Sequence, residues 1–132
     1  MGIFLRVLSP EKTLYGNDVH MALFPGVSGD FAVLKGHESM ISALKPGIVS
    51  VFEKEKGDLE EFLVLGGVVE VSLDQCSLLG DEIIKVSEID KKVFEERIFD
   101  INLMLQKKQT QVVEEDLHAE LEFLKIGLSV IK

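Results

Sequence analysis

The side chains able to carry chemistry are few and scattered. His20, His37 and His118 lie far apart in the chain, and no second histidine or cysteine stands at ligand spacing from any of them. A zinc site needs four protein ligands, or three and a water, usually within motifs such as HExxH or paired CxxC. The sequence holds none of these, so neither a metal nor a cofactor is expected. Cys76 is the single cysteine, which excludes an internal disulfide and fits a reducing compartment. Inside an apolar run it reads as a small core residue rather than a nucleophile. The serines lack a GxSxG elbow. Pro25-Gly26-Val27-Ser28-Gly29-Asp30 comes nearest to a phosphate loop, but it lacks the Lys-Ser/Thr ending and precedes a strand pattern, so a hairpin loop is expected. The acidic run Glu114-Glu115-Asp116 opens a helical pattern, where the helix dipole favours negative charge. No reaction is defined by these residues, and an enzyme is not expected.

The elements that must position such residues fall into two kinds. Up to about residue 80, apolar side chains alternate or form short β-branched runs between glycine-rich turns, the period of strands. Strands are expected over Ile3 to Leu8, Val19 to Phe24, Gly29 to Leu34, Gly47 to Phe52, Glu61 to Leu65, Val68 to Ser72 and Cys76 to Gly80. That spacing predicts a sandwich or barrel, with Gly66-Gly67 as a tight turn or bulge.

From Ser87 onward there is no proline, the only glycine is Gly127, and the apolar period becomes helical. Phe94, Ile98, Ile101 and Leu105 form one stripe, and Val113, Leu117, Leu121, Leu124, Leu128 and Ile131 a second, with the polar segment Lys107 to Gln111 between them. Ser87 with Asp90 predicts a capping box. The expected fold is mostly β with an α tail: residues 1–86 form the strand-rich body and residues 87–132 an antiparallel two-helix hairpin. Two helices of this length bury little apolar surface by themselves, which makes the hairpin a detachable element and a candidate switch.

Composition narrows the partners. The 132 residues suit one small domain with an appendage, and 46% apolar content is enough to build a core. Fourteen basic against 23 acidic residues leave a net charge of −9, which repels nucleic acid and anionic lipid. Arg6 interrupts the first apolar stretch, so no secretory signal is expected. Uncharged stretches fall short of a membrane span, so any membrane association is expected through a partner.

Several segments carry more specific information. Val7-Leu8-Ser9-Pro10-Glu11-Lys12-Thr13-Leu14-Tyr15-Gly16 is followed by Phe24-Pro25-Gly26, by Gly29-Asp30-Phe31-Ala32-Val33-Leu34-Lys35-Gly36-His37-Glu38 and by Leu44-Lys45-Pro46-Gly47. Val64-Leu65-Gly66-Gly67-Val68-Val69-Glu70-Val71 and Val86-Ser87-Glu88-Ile89-Asp90 come later. In order and spacing, over essentially the whole chain, these segments resemble the epsilon subunits of F-type ATP synthases, called delta in mitochondria.

The resemblance implies a flattened β-sandwich followed by a helical hairpin, in a non-catalytic rotor subunit that couples proton-driven rotation to ATP synthesis. It implies gamma and the c-ring as partners, the alpha and beta subunits through an inhibitory hairpin, and a place on the cytoplasmic face of the bacterial inner membrane without direct insertion. Residue by residue, Gly29, Asp30 and Phe31 match the c-ring contact, and Ser9, His37 and Ser42 match the face toward gamma. The regulatory hairpin would use Ile89, Asp90, Phe94, Ile98, Leu117, Leu121 and Leu124.

The chain departs from the family in places. Ala32 stands where the family usually has Gly, and Lys35 where it usually has Pro. Some bacterial members bind ATP through an Ile/Leu-Asp-x-x-Arg-Ala segment; the matching stretch here is Ile89-Asp90-Lys91-Lys92-Val93-Phe94, which lacks the Arg and the Ala. No useful ATP site is therefore expected, with Arg97, one turn on, able to compensate only in part. A second reading stays open: a free-standing β-sandwich that binds a small ligand or peptide and dimerises through its hairpin.

Overall fold

A computed structural model describes residues 2–107 and 114–131. Ten strands precede two helices: β1 (Ile3–Leu8), β2 (Thr13–Val19), β3 (Met21–Phe24), β4 (Phe31–Leu34), β5 (Met40–Leu44), β6 (Gly47–Phe52), β7 (Leu59–Val64), β8 (Gly67–Val71), β9 (Gln75–Gly80), β10 (Ile83–Lys85), α1 (Lys91–Lys107) and α2 (Glu114–Val130). They form two five-stranded sheets, ordered β2-β1-β9-β8-β5 and β10-β7-β6-β3-β4. The pair β1 and β9 is parallel, and the other pairings are antiparallel.

The alternation seen in the sequence fills the space between the sheets. Ile3, Leu5 and Val7 of β1, Val69 and Val71 of β8, and Cys76 and Leu78 of β9 face Ala22, Phe24, Val33, Val49, Val51, Phe62 and Val64 of the other sheet. Cys76 belongs to this core, and burial pushes its thiol up to about 12, far from a reactive thiolate. At one end of the sandwich, Tyr15 Oη donates to Glu53 Oε2 at 2.5 Å and Asn17 Nδ2 donates to the same atom at 3.0 Å, linking the two sheets.

The strands depart from the expectation at one split and three additions. Val19 to Phe24 is not one strand: the chain leaves the first sheet at Val19, passes His20 and enters the second at Met21. The strands β2, β5 and β10 were not expected, and each is a sheet edge. Gly66-Gly67 does not close a hairpin but carries the chain from β7 in one sheet to β8 in the other. Gly67 has φ 153°, and a Cβ there would lie 2.8 Å from Gly80 Cα, so this corner requires glycine.

A second core covers the β10-β7-β6 part of the outer face of the β10-β7-β6-β3-β4 sheet. In β7, Phe62 and Val64 point between the sheets while Leu63 points outward, and all three are fully buried. Leu63 pairs with Ile48 of β6 on one side and Ile84 of β10 on the other. Onto this patch pack Phe94 and Ile101 of α1 and Leu117, Leu121, Phe123 and Leu124 of α2. The helices run antiparallel, since Phe94 meets Phe123 at a ring separation of 5.8 Å while Arg97 reaches back to Glu120.

The start of α1 corrects the capping expectation. Ser87 lies inside a single 3-10 turn, Val86–Glu88, and is not the residue that caps α1. Asp90 is the cap: its Oδ1 accepts from Lys92 N at 3.0 Å and from Val93 N at 3.3 Å. Val113, the segment 108–111 and Lys132 lie outside the described residues.

Candidate functional site

The loop between β3 and β4 projects from one end of the sandwich. Phe24 and Phe31 pair across its base and their rings stack at 5.4 Å. Its stem is fastened to the next strand: Val27 N donates to Ala43 O at 3.0 Å and Lys45 N to Pro25 O at 3.0 Å. Gly29 turns the tip with φ 127°, a conformation that a side chain would strain. The result is a braced loop in which Asp30 is exposed, as is Val27 at 62%. Gly29, Asp30 and Phe31 are thus brought together, with Phe31 as the anchor and Asp30 as the exposed group.

Ser9, His37 and Ser42 do not share one surface. Ser9 organises the β1–β2 turn, where its Oγ accepts from Lys12 N at 3.2 Å. His37 follows β4, and its Nδ1 donates to the Glu38 carbonyl at 2.7 Å. Ser42 alternates with exposed Ile41 and Ala43 in β5, pairs with core residue Val69 and faces inward at the sheet edge.

The same sheet carries an outward feature that sequence reasoning missed. Ala43, Val68, Leu79 and Leu8 are successive cross-strand partners over β5, β8, β9 and β1. Val68 is 45% and Leu79 52% exposed, and Ile41 in the neighbouring row reaches 73%. Together they form an apolar band on an otherwise polar face. Its signal lies in the runs Val68-Val69 and Leu78-Leu79, where consecutive apolar residues must place one side chain outward.

The hairpin residues expected from the resemblance gather in the second core. Phe94, Leu117, Leu121 and Leu124 are buried there, and Ile89 and Ile98 pack against them. Arg97 reaches between three elements. It donates to Glu82 in the β9–β10 turn through Nη1 at 2.9 Å and Nη2 at 3.0 Å, and to Glu120 of α2 through Nη2 at 2.8 Å. Its guanidinium lies 5.7 Å from the Phe94 ring centre and 5.8 Å from that of Phe123. The hydrogen bonds it donates to Glu82, and then to Glu120, hold its charge more firmly than usual despite partial burial. Arg97 is thus engaged by two carboxylates, while Val93, at the position of the missing Arg, is 46% exposed.

Among the described residues, no group of three His, Cys, Asp or Glu side chains could hold a metal ion. None of the described helices is long and apolar enough to cross a membrane. Two facing five-stranded sheets with a helical pair packed on one of them define a β-sandwich with a docked helical hairpin. Residues 3–86 match the family model of the ATP synthase delta/epsilon chain β-sandwich domain, and the chain belongs to that family.

An ATP synthase epsilon chain 1 from Nitrobacter hamburgensis is 35% identical over 103 residues, covering 78% of this chain and 75% of the relative. A chain in the mitochondrial ATP synthase of Euglena gracilis (OSCP/F1/c-ring) superposes with TM-score 0.77 at 22% identity, covering 95% of this chain and 78% of that one. A chain from the central stalk and c-ring of the Tetrahymena thermophila mitochondrial enzyme gives TM-score 0.64 at 12% identity, with 97% of each chain covered. The two likenesses to solved structures concern the fold.

Proposed function

We propose that this chain is a non-catalytic central-stalk subunit of a rotary ATP synthase, coupling proton-driven rotation to ATP synthesis. Membership of the delta/epsilon family over residues 3–86 carries the reading. In it the sandwich, residues 1–86, is the part that joins the rotor, and the hairpin, residues 87–132, is regulatory. The rival reading, a free-standing module with a dimerising hairpin, is not favoured, because the described apolar stripes already face each other and Leu63.

Two surfaces suit the two rotor partners. The apolar band of Ile41, Val68 and Leu79 is the face for gamma, since exposed apolar rows on a sheet mark protein contacts; Ser9 and His37 follow β1 and β4, outside the band. Gly29, Asp30 and Phe31 form the contact for the c-ring, where a carboxylate pairs with basic or amide groups of polar loops. A rotor contact transmits torque, which a loop tied to Ala43 and Lys45 can do without folding back. The subunit then sits peripherally, on the cytoplasmic face of the bacterial inner membrane.

Affinity purification from native membranes tests the reading. The chain should co-purify with gamma and the ATPase complex, and Ile41→Asp should abolish this without unfolding the sandwich. Recovery of the chain alone under low-salt conditions would overturn the assignment.

A further inference from the structure

Apolar packing is non-directional, so the contact of Leu63, Ile48 and Ile84 with the helices could slide or tilt without large cost. A forked guanidinium fixes both distance and angle. We propose that Arg97 is a positioning residue whose two carboxylate partners do different work: Glu82 latches the hairpin to the sandwich, and Glu120 staples the helices to each other. This rests on the rotor reading for its regulatory meaning, since it names what holds the regulatory element down.

The geometry separates the two roles. Glu82 belongs to the turn between β9 and β10 and stays with the sandwich if the helices lift, whereas Arg97 and Glu120 both belong to the helices and leave together. The fork to Glu82 must therefore break on undocking, and the bond to Glu120 need not. The rings of Phe94 and Phe123, one from each helix, flank the same guanidinium and hold it in place for both partners. With one cation between two carboxylates, both contacts are made by the chain's own groups.

Distances between spin labels in the full chain test this. One pair would sit at Asp100 of α1 and at Glu55 in the exposed β6–β7 loop, a second at Asp100 and Glu122 of α2, all in a Cys76→Ala background. Glu82→Gln, which keeps size and removes charge, should raise the population with a lengthened Asp100–Glu55 distance about tenfold and leave the Asp100–Glu122 distance unchanged. Glu120→Gln should do the reverse, broadening the second distance with little change in the first. Arg97→Lys, which keeps the charge but loses the fork, should fall between the parent and Arg97→Gln. Adding Glu82→Gln to Arg97→Gln should lengthen the Asp100–Glu55 distance no further. A parent-like distribution in Glu82→Gln, or equal undocking by Glu82→Gln and Glu120→Gln, would overturn the division of roles. The labels report on the isolated chain, so that result would leave the rotor reading to its own purification test.

Discussion

Gly127 of α2 lies directly against the Phe94 ring of α1. A Cβ at this position would stand 2.9 Å from both Phe94 Cδ2 and Leu63 Cδ2, and closer still to Phe94 Cε2. The glycine is what lets the two helices and β7 meet at one point, and it explains a residue that otherwise weakens a helix by about 1 kcal/mol.

Gly127→Ala sets a gain in helix propensity of about 1 kcal/mol against overpacking that costs about 1–3 kcal/mol. Crowding by an aromatic ring and a branched side chain at once makes the second term the larger. The variant should be destabilised by about 1 kcal/mol, lowering Tm by about 4 °C. Calorimetry checks this, and a raised Tm would mean that Phe94 can turn aside.

The cap of α1 predicts a contrast between two neighbouring residues. Asp90→Ala removes the acceptor for Lys92 N and Val93 N and should cost about 1 kcal/mol. Ser87→Ala should cost almost nothing. Urea unfolding followed at a helical wavelength distinguishes them, and equal losses would restore the capping box.

Cys76 predicts an alkaline limit on stability. Its folded pKa is raised from the ordinary 9.0 to about 12 by burial, so the folded state holds the proton more tightly than the unfolded chain. That contribution is complete below pH 9 and is lost as pH rises from 9 towards 12, by up to about 1.4 kcal/mol per pH unit. Denaturation midpoints across that range should fall, and Cys76→Ala should flatten the slope while lowering the plateau.

Asp30→Lys should impair coupling more than assembly. One exposed ion pair contributes only about 0–1 kcal/mol, so binding through the apolar band persists while the reversed charge repels a basic partner loop. ATP-driven proton pumping in membrane vesicles should drop at unchanged subunit content. Normal pumping would remove Asp30 from the contact.

The sequence made the inner strands legible and hid three of the four edges, β4 being the exception. Ile3 to Leu8 and Gly47 to Phe52 have neighbours on both sides and bury every second residue, which leaves an unmistakable alternation. Thr13 to Val19 pairs on one side only and buries a single residue fully, so its polar string Gly16-Asn17-Asp18 resembles a loop. The helical stripes were readable because they repeat within a few residues. Arg97 was read only as a stand-in for a missing nucleotide ligand, since Glu82 and Glu120 lie 15 and 23 residues away and only tertiary folding brings them together.

The burial of β7 on both faces gives one strand two masters. Phe62 and Leu63 are joined by a single peptide unit, yet one belongs to the interior of the sandwich and the other to the seat of the helices. A substitution that shifts that backbone therefore disturbs both interiors, beginning with Val49, which pairs with Phe62, and Ile48, which pairs with Leu63. The strand is in effect a shared wall, so a cavity cut at Leu63 should loosen the seat of the helices and the sandwich interior together.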